Sequence, residues 1–358
     1  MSLKLRDGTR IVIDDPAKVA AAQQYSFTLK GYAPLYDWVK AHAWRMHAPP
    51  GGHDVMVTNG NNQTIEMVLR LFLDRGDALL CEQNTYPHIF ESLVHPAGLH
   101  TVPVAMDGEG MLPGALCETL EGFAARGERP PRLLYTVPVG QNPTGAITPE
   151  ARRREIYALC RDHGILILED DPYFYLQFAP GGGAPCGLTG LGASYLSMDV
   201  DGRVIRLDSF AKVVAPGLRL GWVTAAPAVI QKLVFHLHGI SLGACSFTQV
   251  AMAELLQHWG EAGFEAHICT MQREYAGRAA ALQAAAQEHL GGLASWTPPA
   301  AGMFLWLRLH GIPCADAILE RLQTEKVVVV PGSITHCRGP DAGRPCPFTS
   351  RPLTDPRM

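Results

Sequence analysis

Of the seven lysines in the chain, Lys212 is the one whose neighbours suit imine chemistry with an aldehyde. It follows the apolar run Val204–Leu207 through Asp208, Ser209, Phe210 and Ala211. That places it just beyond the carboxyl end of a strand, where open α/β sheets bind ligands. Ser209 stands three residues before it, and Arg219 follows seven residues after it within Gly217-Leu218-Arg219-Leu220-Gly221. An amine, a hydroxyl and a guanidinium so spaced suit a phosphorylated aldehyde, the amine taking the carbonyl and the other two the dianion. Taken alone, the same residues also suit an exposed lysine and a surface ion pair.

Three further blocks narrow the choice. Glu169-Asp170-Asp171-Pro172-Tyr173 directly follows an apolar run. A carboxylate at that strand end could keep the ring nitrogen of pyridoxal phosphate protonated, the state in which that ring draws electrons, and Asp170 is so placed. Tyr173 could donate to the ring's phenolate oxygen; an acidic turn capping a strand is the other reading. Val139-Gly140-Gln141-Asn142-Pro143-Thr144-Gly145 also lies between a strand and a helix, and Asn142, stiffened by Pro143, could present its amide to the ring oxygen and to a substrate carboxylate. Thr58-Asn59-Gly60-Asn61-Asn62-Gln63 opens a helix whose N–H groups could cradle phosphate, although a plain helix cap reads the same way. Tyr86, in Asn84-Thr85-Tyr86-Pro87, could stack on the ring face or simply pack.

These blocks need strands and helices to hold them. Strands are expected at Val55–Thr58, Ala78–Cys81, Leu133–Thr136, Ile165–Glu169, Val204–Leu207 and Gly221–Ala225. Amphipathic helices are expected at Gln63–Leu73, Gly114–Ala125 and Pro149–His163, the alternation of an α/β fold with a largely parallel sheet. Helices at Thr248–Trp259 and Glu261–Leu290 meet at Gly260. A smaller α+β unit follows, with strands at Met303–Leu309 and Val327–Val330 around a helix at Cys314–Glu325. Pro180–Gly192 reads as a surface loop, and Pro331–Met358 shows no hydrophobic period.

Composition excludes several classes. With 358 residues, 47% hydrophobic and 18% charged, the chain can build a sizeable core in two lobes. A net charge of −4 leaves no basic surplus for nucleic acid or an anionic membrane. No apolar run is long enough to span a bilayer. Nine cysteines without C-x-x-C pairs argue against a secreted disulfide framework, and the acidic Asp7, Asp14 and Asp15 are unlike a transit peptide, so the cytosol is expected, with the mitochondrion as the alternative.

Taken in order, the blocks resemble the pyridoxal-phosphate aminotransferases of fold type I (class I/II), most closely the kynurenine/α-aminoadipate aminotransferase group. The resemblance runs from about Tyr25 to Gly332. It rests on Tyr135-Thr136-Val137-Pro138 with Asn142-Pro143-Thr144-Gly145, on Glu169 to Tyr173, on Ser197 to Arg206, on Asp208-Ser209-Phe210-Ala211-Lys212 and on Pro299 to Trp306. It implies an α/β fold with a mostly parallel seven-stranded sheet and a smaller, incomplete α+β domain. Residues 1–24 would be an N-terminal remnant packing with the small domain, 25–260 the large cofactor-binding domain, 261–332 the small domain and 333–358 a divergent tail.

The resemblance also implies roles. Lys212 would carry pyridoxal phosphate as a Schiff base and move the proton at the substrate Cα. Asp170 would pair with the pyridinium, Tyr173 and Asn142 with the ring oxygen, and Tyr86 would stack. Ser209, Arg219, Asn61 and Asn62 would hold the phosphate. A homodimer with shared sites is implied, Tyr25 reaching into the partner's. Arg351 falls where the group has its α-carboxylate arginine, but it is shifted by a residue and precedes a proline. The chain reads as shortened at both ends against that group. The implied reaction is amino transfer from an L-amino acid such as aminoadipate or kynurenine to 2-oxoglutarate. A β-lyase using the same lysine, and a silent subunit that binds the cofactor, are the alternatives.

Overall fold

The computed structural model describes residues 1–25, 28–178 and 187–337. Arg351 and part of the Pro180–Gly192 loop lie outside them. The chain opens with a hairpin, β1 (Ser2–Lys4) and β2 (Arg10–Val12), then α1 (Pro16–Gln23) and α2 (Ala33–His47). The main sheet is laid down by β3 (Asp54–Thr58), β4 (Ala78–Glu82) and β5 (His100–Val104); a short hairpin, β6 (Met106–Asp107) and β7 (Gly110–Met111), follows. It is completed by β8 (Leu133–Thr136), β9 (Leu166–Asp170), β10 (Val204–Ser209) and β11 (Gly221–Ala225). The seven strands run in the order β3-β11-β10-β9-β8-β4-β5, and only β11 is antiparallel to its neighbours.

Strands buried on both faces read as continuous apolar runs, which is why six of the seven are evident in the sequence to within a residue or two. The seventh, His100–Val104, was not expected. Its run is broken by Thr101 and Pro103, and it is one of the two edge strands, where a proline's missing N–H leaves no partner wanting. Helices α3 (Asn61–Phe72), α4 (Pro113–Ala125) and α5 (Glu150–Asp162) cross between the strands as the apolar spacing predicts. After α6 (Pro227–Ser241) comes α7 (Ser246–Leu290), broken at Gly260, whose φ of 58° and ψ of −172° are not helical. The N-terminal segment packs on α7: Ile13 and Ala22 meet Val250, and Lys18 pairs with Glu254 at 2.7 Å.

The small unit departs from expectation. In place of a strand over Met303–Leu309, only β13 (Arg308–Leu309) is paired, with β12 (Ala294–Ser295). The expected helix is a 3-10 turn, Ala315–Ile318, followed by α8 (Leu319–Thr324). Val327–Val330 is not a strand; among the described residues it finds no ladder partner, and Val328 is 86% exposed. Four valines in a row have high strand propensity, but a strand is stabilised by its neighbours. Cys269 is disulfide-bonded, while Cys81, Cys117, Cys160, Cys245, Cys314 and Cys337 are free thiols. No helix among the described residues is long and apolar enough to cross a membrane.

At the centre of the sheet a charge cluster joins β9 and β10. The Arg206 guanidinium, fully buried, makes two hydrogen bonds to Asp208, at 3.0 and 2.9 Å, and reaches Asp171 Oδ2 at 2.9 Å and Glu169 Oε1 at 3.0 Å. The Phe174 ring covers it at 4.6 Å. Three carboxylates face one cation in a dry interior, so burial pushes the Asp171 carboxyl up to about 7 and the cluster sheds part of its excess charge. Arg206→Met leaves the carboxylates facing one another, and we expect it to lower the unfolding free energy by about 3–5 kcal/mol in a urea titration. A loss under about 1 kcal/mol would show that the cluster does not hold the sheet.

Candidate active site

Parallel strands end at one edge of the sheet, and the sequence blocks converge there. Along β9 the side chains alternate, so Glu169 and Asp171 turn to the Arg206 side while Asp170 emerges on the other. Asp170 is 6% exposed. Its Oδ1 accepts from the Asn61 amide at 2.6 Å and its Oδ2 from the Tyr135 hydroxyl at 2.8 Å. Burial pushes its carboxyl above the usual range, opposed by these two donors and by the charge of Arg206. Tyr135, part of the Tyr135-Thr136-Val137-Pro138 motif, gains its role through this contact.

Asn61 occupies a different place from the one expected of its side chain. It was read as part of a phosphate cup, but its carboxamide is spent on Asp170; the first turn of α3 keeps its backbone amides for an anion. Asn62 is half-buried at the same helix start. Gly60, which precedes the helix, has φ of 94°, and a Cβ there would lie 3.1 Å from the Arg219 Nη2. The guanidinium therefore rests against the α3 N-terminus. Arg219, itself at φ 48°, has no carboxylate within ion-pair distance among the described residues, and its one hydrogen bond among them is to the Pro216 carbonyl, at 3.4 Å. Ser209 lies in the same row of the sheet, paired with Gly221, which pairs with Thr58 on β3. An unpaired guanidinium, helix N–H groups and a buried hydroxyl make an anion cradle.

Lys212 lies in the turn after β10, half-buried, with its ammonium 5.9 Å from the centroid of the Tyr173 ring and no carboxylate within ion-pair distance among the described residues. Tyr173 is buried, edge-on to Phe304 at 5.5 Å. Burial raises its phenol, and a hydrogen bond from Asn142 opposes that. Asn142 and Tyr173 are therefore in contact. Tyr86 is half-buried against the core that includes Tyr173, its ring 5.7 Å from that of His88. Tyr25 is 74% exposed and joins none of these contacts. A cation-lined anion cradle, a free amine and a buried carboxylate bridged to the cradle by Asn61 are the donor set that pyridoxal phosphate requires at its phosphate, aldehyde and ring nitrogen.

The sequence and the fold are similar to those of known proteins. Residues 41–353 match the model of aminotransferase class I and II. The chain is 35% identical over 341 residues to the mitochondrial kynurenine/alpha-aminoadipate aminotransferase of Bos taurus, a match covering 91% of this chain and 77% of that protein. Its fold matches the aminotransferase Aro8 of Candida albicans with a TM-score of 0.84 and 32% identity, over 92% of this chain and 75% of that one. It also matches LysN of Thermus thermophilus, an alpha-aminoadipate aminotransferase solved with N-(5'-phosphopyridoxyl)-L-leucine, with a TM-score of 0.76 and 31% identity, over 90% and 77% of the two chains. The chain belongs to aminotransferase class I and II and is a fold type I enzyme whose cofactor is pyridoxal phosphate.

The cradle is open to test. Gly60→Ala places a methyl against Arg219 at a backbone angle that costs an L-residue about 1–2 kcal/mol. We expect cofactor affinity, followed by fluorescence titration, to fall roughly tenfold, the equivalent of 1.4 kcal/mol. Unchanged affinity would place the phosphate elsewhere.

Proposed function

We propose that Lys212 makes the covalent link to pyridoxal phosphate, and that the chain transfers the amino group of a large L-amino acid, of the aminoadipate or kynurenine kind, to 2-oxoglutarate. The observation that carries the assignment is the bridge by which Asn61, at the head of α3, joins the anion cradle to the buried Asp170 carboxylate. When bound, the cofactor supplies a protonated ring that accepts electron density from the substrate Cα. The residues do the rest. Asp170 keeps the ring nitrogen's proton in place, Asn142 and Tyr173 hold the ring oxygen, and Tyr86 stacks on the ring. Ser209, Arg219 and the backbone amides of Asn61 and Asn62 hold the phosphate. Lys212 Nζ takes the proton from the substrate Cα.

The substrate class is supported by the names of the bovine and Thermus relatives and by a cavity of about 320 Å³ beside the site. Phe178, Tyr275, Arg278, Met303 and Phe304 line it, and Phe304 joins it to Tyr173. An aromatic lining with one guanidinium suits a large side chain that is aromatic or ends in a carboxylate. We further propose that the chain acts as a homodimer, the exposed Tyr25 reaching the site of a second copy.

Borohydride reduction of the cofactor-loaded protein, followed by peptide mapping, tests the link. The reduced adduct is expected on Lys212, with Lys212→Ala giving none. An adduct on another lysine, or a protein that stays colourless with excess pyridoxal phosphate, overturns the assignment.

A further inference from the structure

Asn142 and Tyr86 come to the site on two separate loops, and one buried carboxylate joins those loops from behind. Glu82 ends β4 and is fully buried. Its Oε1 accepts from the Thr136 hydroxyl at 2.6 Å and from the Val137 N–H at 3.1 Å. Its Oε2 accepts from Gln141 Nε2 at 3.4 Å. That same nitrogen donates to the Asn84 carbonyl at 2.6 Å, two residues before Tyr86. The Gln141 oxygen accepts from the Thr144 N–H at 2.9 Å and the Thr144 hydroxyl at 2.7 Å, on the far side of Asn142 and Pro143.

The Gln141 amide is thus fixed in one orientation. Turning it over would aim its oxygen at the Asn84 carbonyl and Glu82, both acceptors, and would set its NH₂ against the Thr144 N–H, a donor. With the amide so fixed, an acceptor is required at Glu82 Oε2, and the other two partners of Glu82 are donors as well. The ionised carboxylate meets all three demands; a carboxylic acid can place its O–H only by reversing the Thr136 bond, and as a neutral acceptor it grips the Val137 and Gln141 donors more weakly.

We propose that Glu82 is a positioning residue of the transamination reaction: its carboxylate, acting through Gln141, holds the Asn142 loop and the Tyr86 loop in register. This rests on the proposed roles of Asn142 and Tyr86 at the cofactor. Glu82 itself reaches neither. Burial pushes the Glu82 carboxyl up to about 7, opposed by the Thr136, Val137 and Gln141 bonds and reinforced by the charge of Asp170. The titratable groups coupled to it are Cys81 beside it, Tyr135 on β8, Asp170 on β9 and Tyr195. As pH falls through about 7, Glu82 takes up a proton and its hold on Gln141 weakens; above that value the full hold is present.

The test compares the full chain with its Glu82→Gln variant, which keeps the shape but sets an NH₂ or a neutral oxygen against donors. Two readouts are followed across pH: kcat and KM of the cofactor-loaded enzyme, and hydrogen exchange of the peptide containing Thr144, with and without cofactor. Glu82→Gln is expected to lower kcat roughly tenfold, less than the ~10²-fold cost of a 1 Å misplacement, with KM little changed. It should also speed exchange at Thr144 and abolish the acid limb of kcat near neutrality. If Glu82→Gln does not fold, Gln141→Leu must give the faster exchange and the lower kcat. Wild-type exchange at Thr144 together with an intact acid limb overturns the proposal. Because exchange is also read without cofactor, a chain that failed to take up pyridoxal phosphate would sink the proposed function while leaving the Glu82 result legible.

Discussion

One guanidinium in the middle of the sheet decides where the chemistry can stand. Strand alternation forces the three acidic residues 169, 170 and 171 onto opposite faces, and Arg206 takes the outer two. With Glu169 and Asp171 committed, Asp170 has only the other face. There it meets Tyr135 and Asn61 instead of a cation. The same arginine takes both oxygens of Asp208, next to Ser209 at the end of β10 and four residues before Lys212. A buried ion cluster is a weak source of net stability, because desolvation offsets most of the attraction. What it supplies here is direction: it leaves one carboxylate and one amine facing the same edge.

The other constraint is close approach of backbones. Gly140 and Gly302 cross so tightly that a Cβ on either would lie within 2.9 Å of the other's backbone. This crossing seats the 299–302 segment of the small unit against the loop that carries Asn142, and Gly302 N–H donates to the Leu176 carbonyl at 3.0 Å. The paired part of the small unit is thin, yet the part that touches the site is held by packing with no room for a side chain. Residues Thr335 to Cys337 are similarly tied to Gln83 to Thr85, through Thr85 N–H to Thr335 O at 2.9 Å and Cys337 N–H to Gln83 O at 2.8 Å. The loop bearing Tyr86 is thus braced from two sides.

Much of this was legible in the sequence, and what escaped has a physical reason. The central strands announce themselves because both faces are buried; His100–Val104 does not, because an edge strand tolerates Thr101 and Pro103. Lys212, Asp170, Tyr173 and Asn142 stand out as candidates by their place after strands, and Arg219 by its spacing from Lys212. The Arg206 cluster could have been read from the spacing of Glu169 with Asp171 and of Arg206 with Asp208, each pair two apart on a strand. Such a pair reveals a face, but finding that the faces meet needs the parallel register of β9 with β10. Asn61 is ambiguous for a related reason: at a helix start a side chain and a backbone amide are both candidates for an anion, and only the neighbouring strand shows that the side chain meets Asp170. Val327–Val330 failed in the opposite direction, since propensity without a partner strand does not make a ladder.

The pull of burial on Asp170 links these constraints to cofactor binding. In the chain alone, its carboxyl is raised because two neutral donors replace bulk water incompletely. In the role proposed for it, the Asp170 carboxylate would gain the missing counter-charge from a protonated ring nitrogen, and its pKa would fall back as it ionised. Each group stabilises the charged form of the other, and the low polarity that penalises Asp170 alone strengthens the pair once formed. A solvent-exposed carboxylate at this position would ionise freely yet hold the ring proton weakly. On the proposed role of Asp170, the buried setting that Arg206, Tyr135 and Asn61 create is what would let a single aspartate control the charge of the ring.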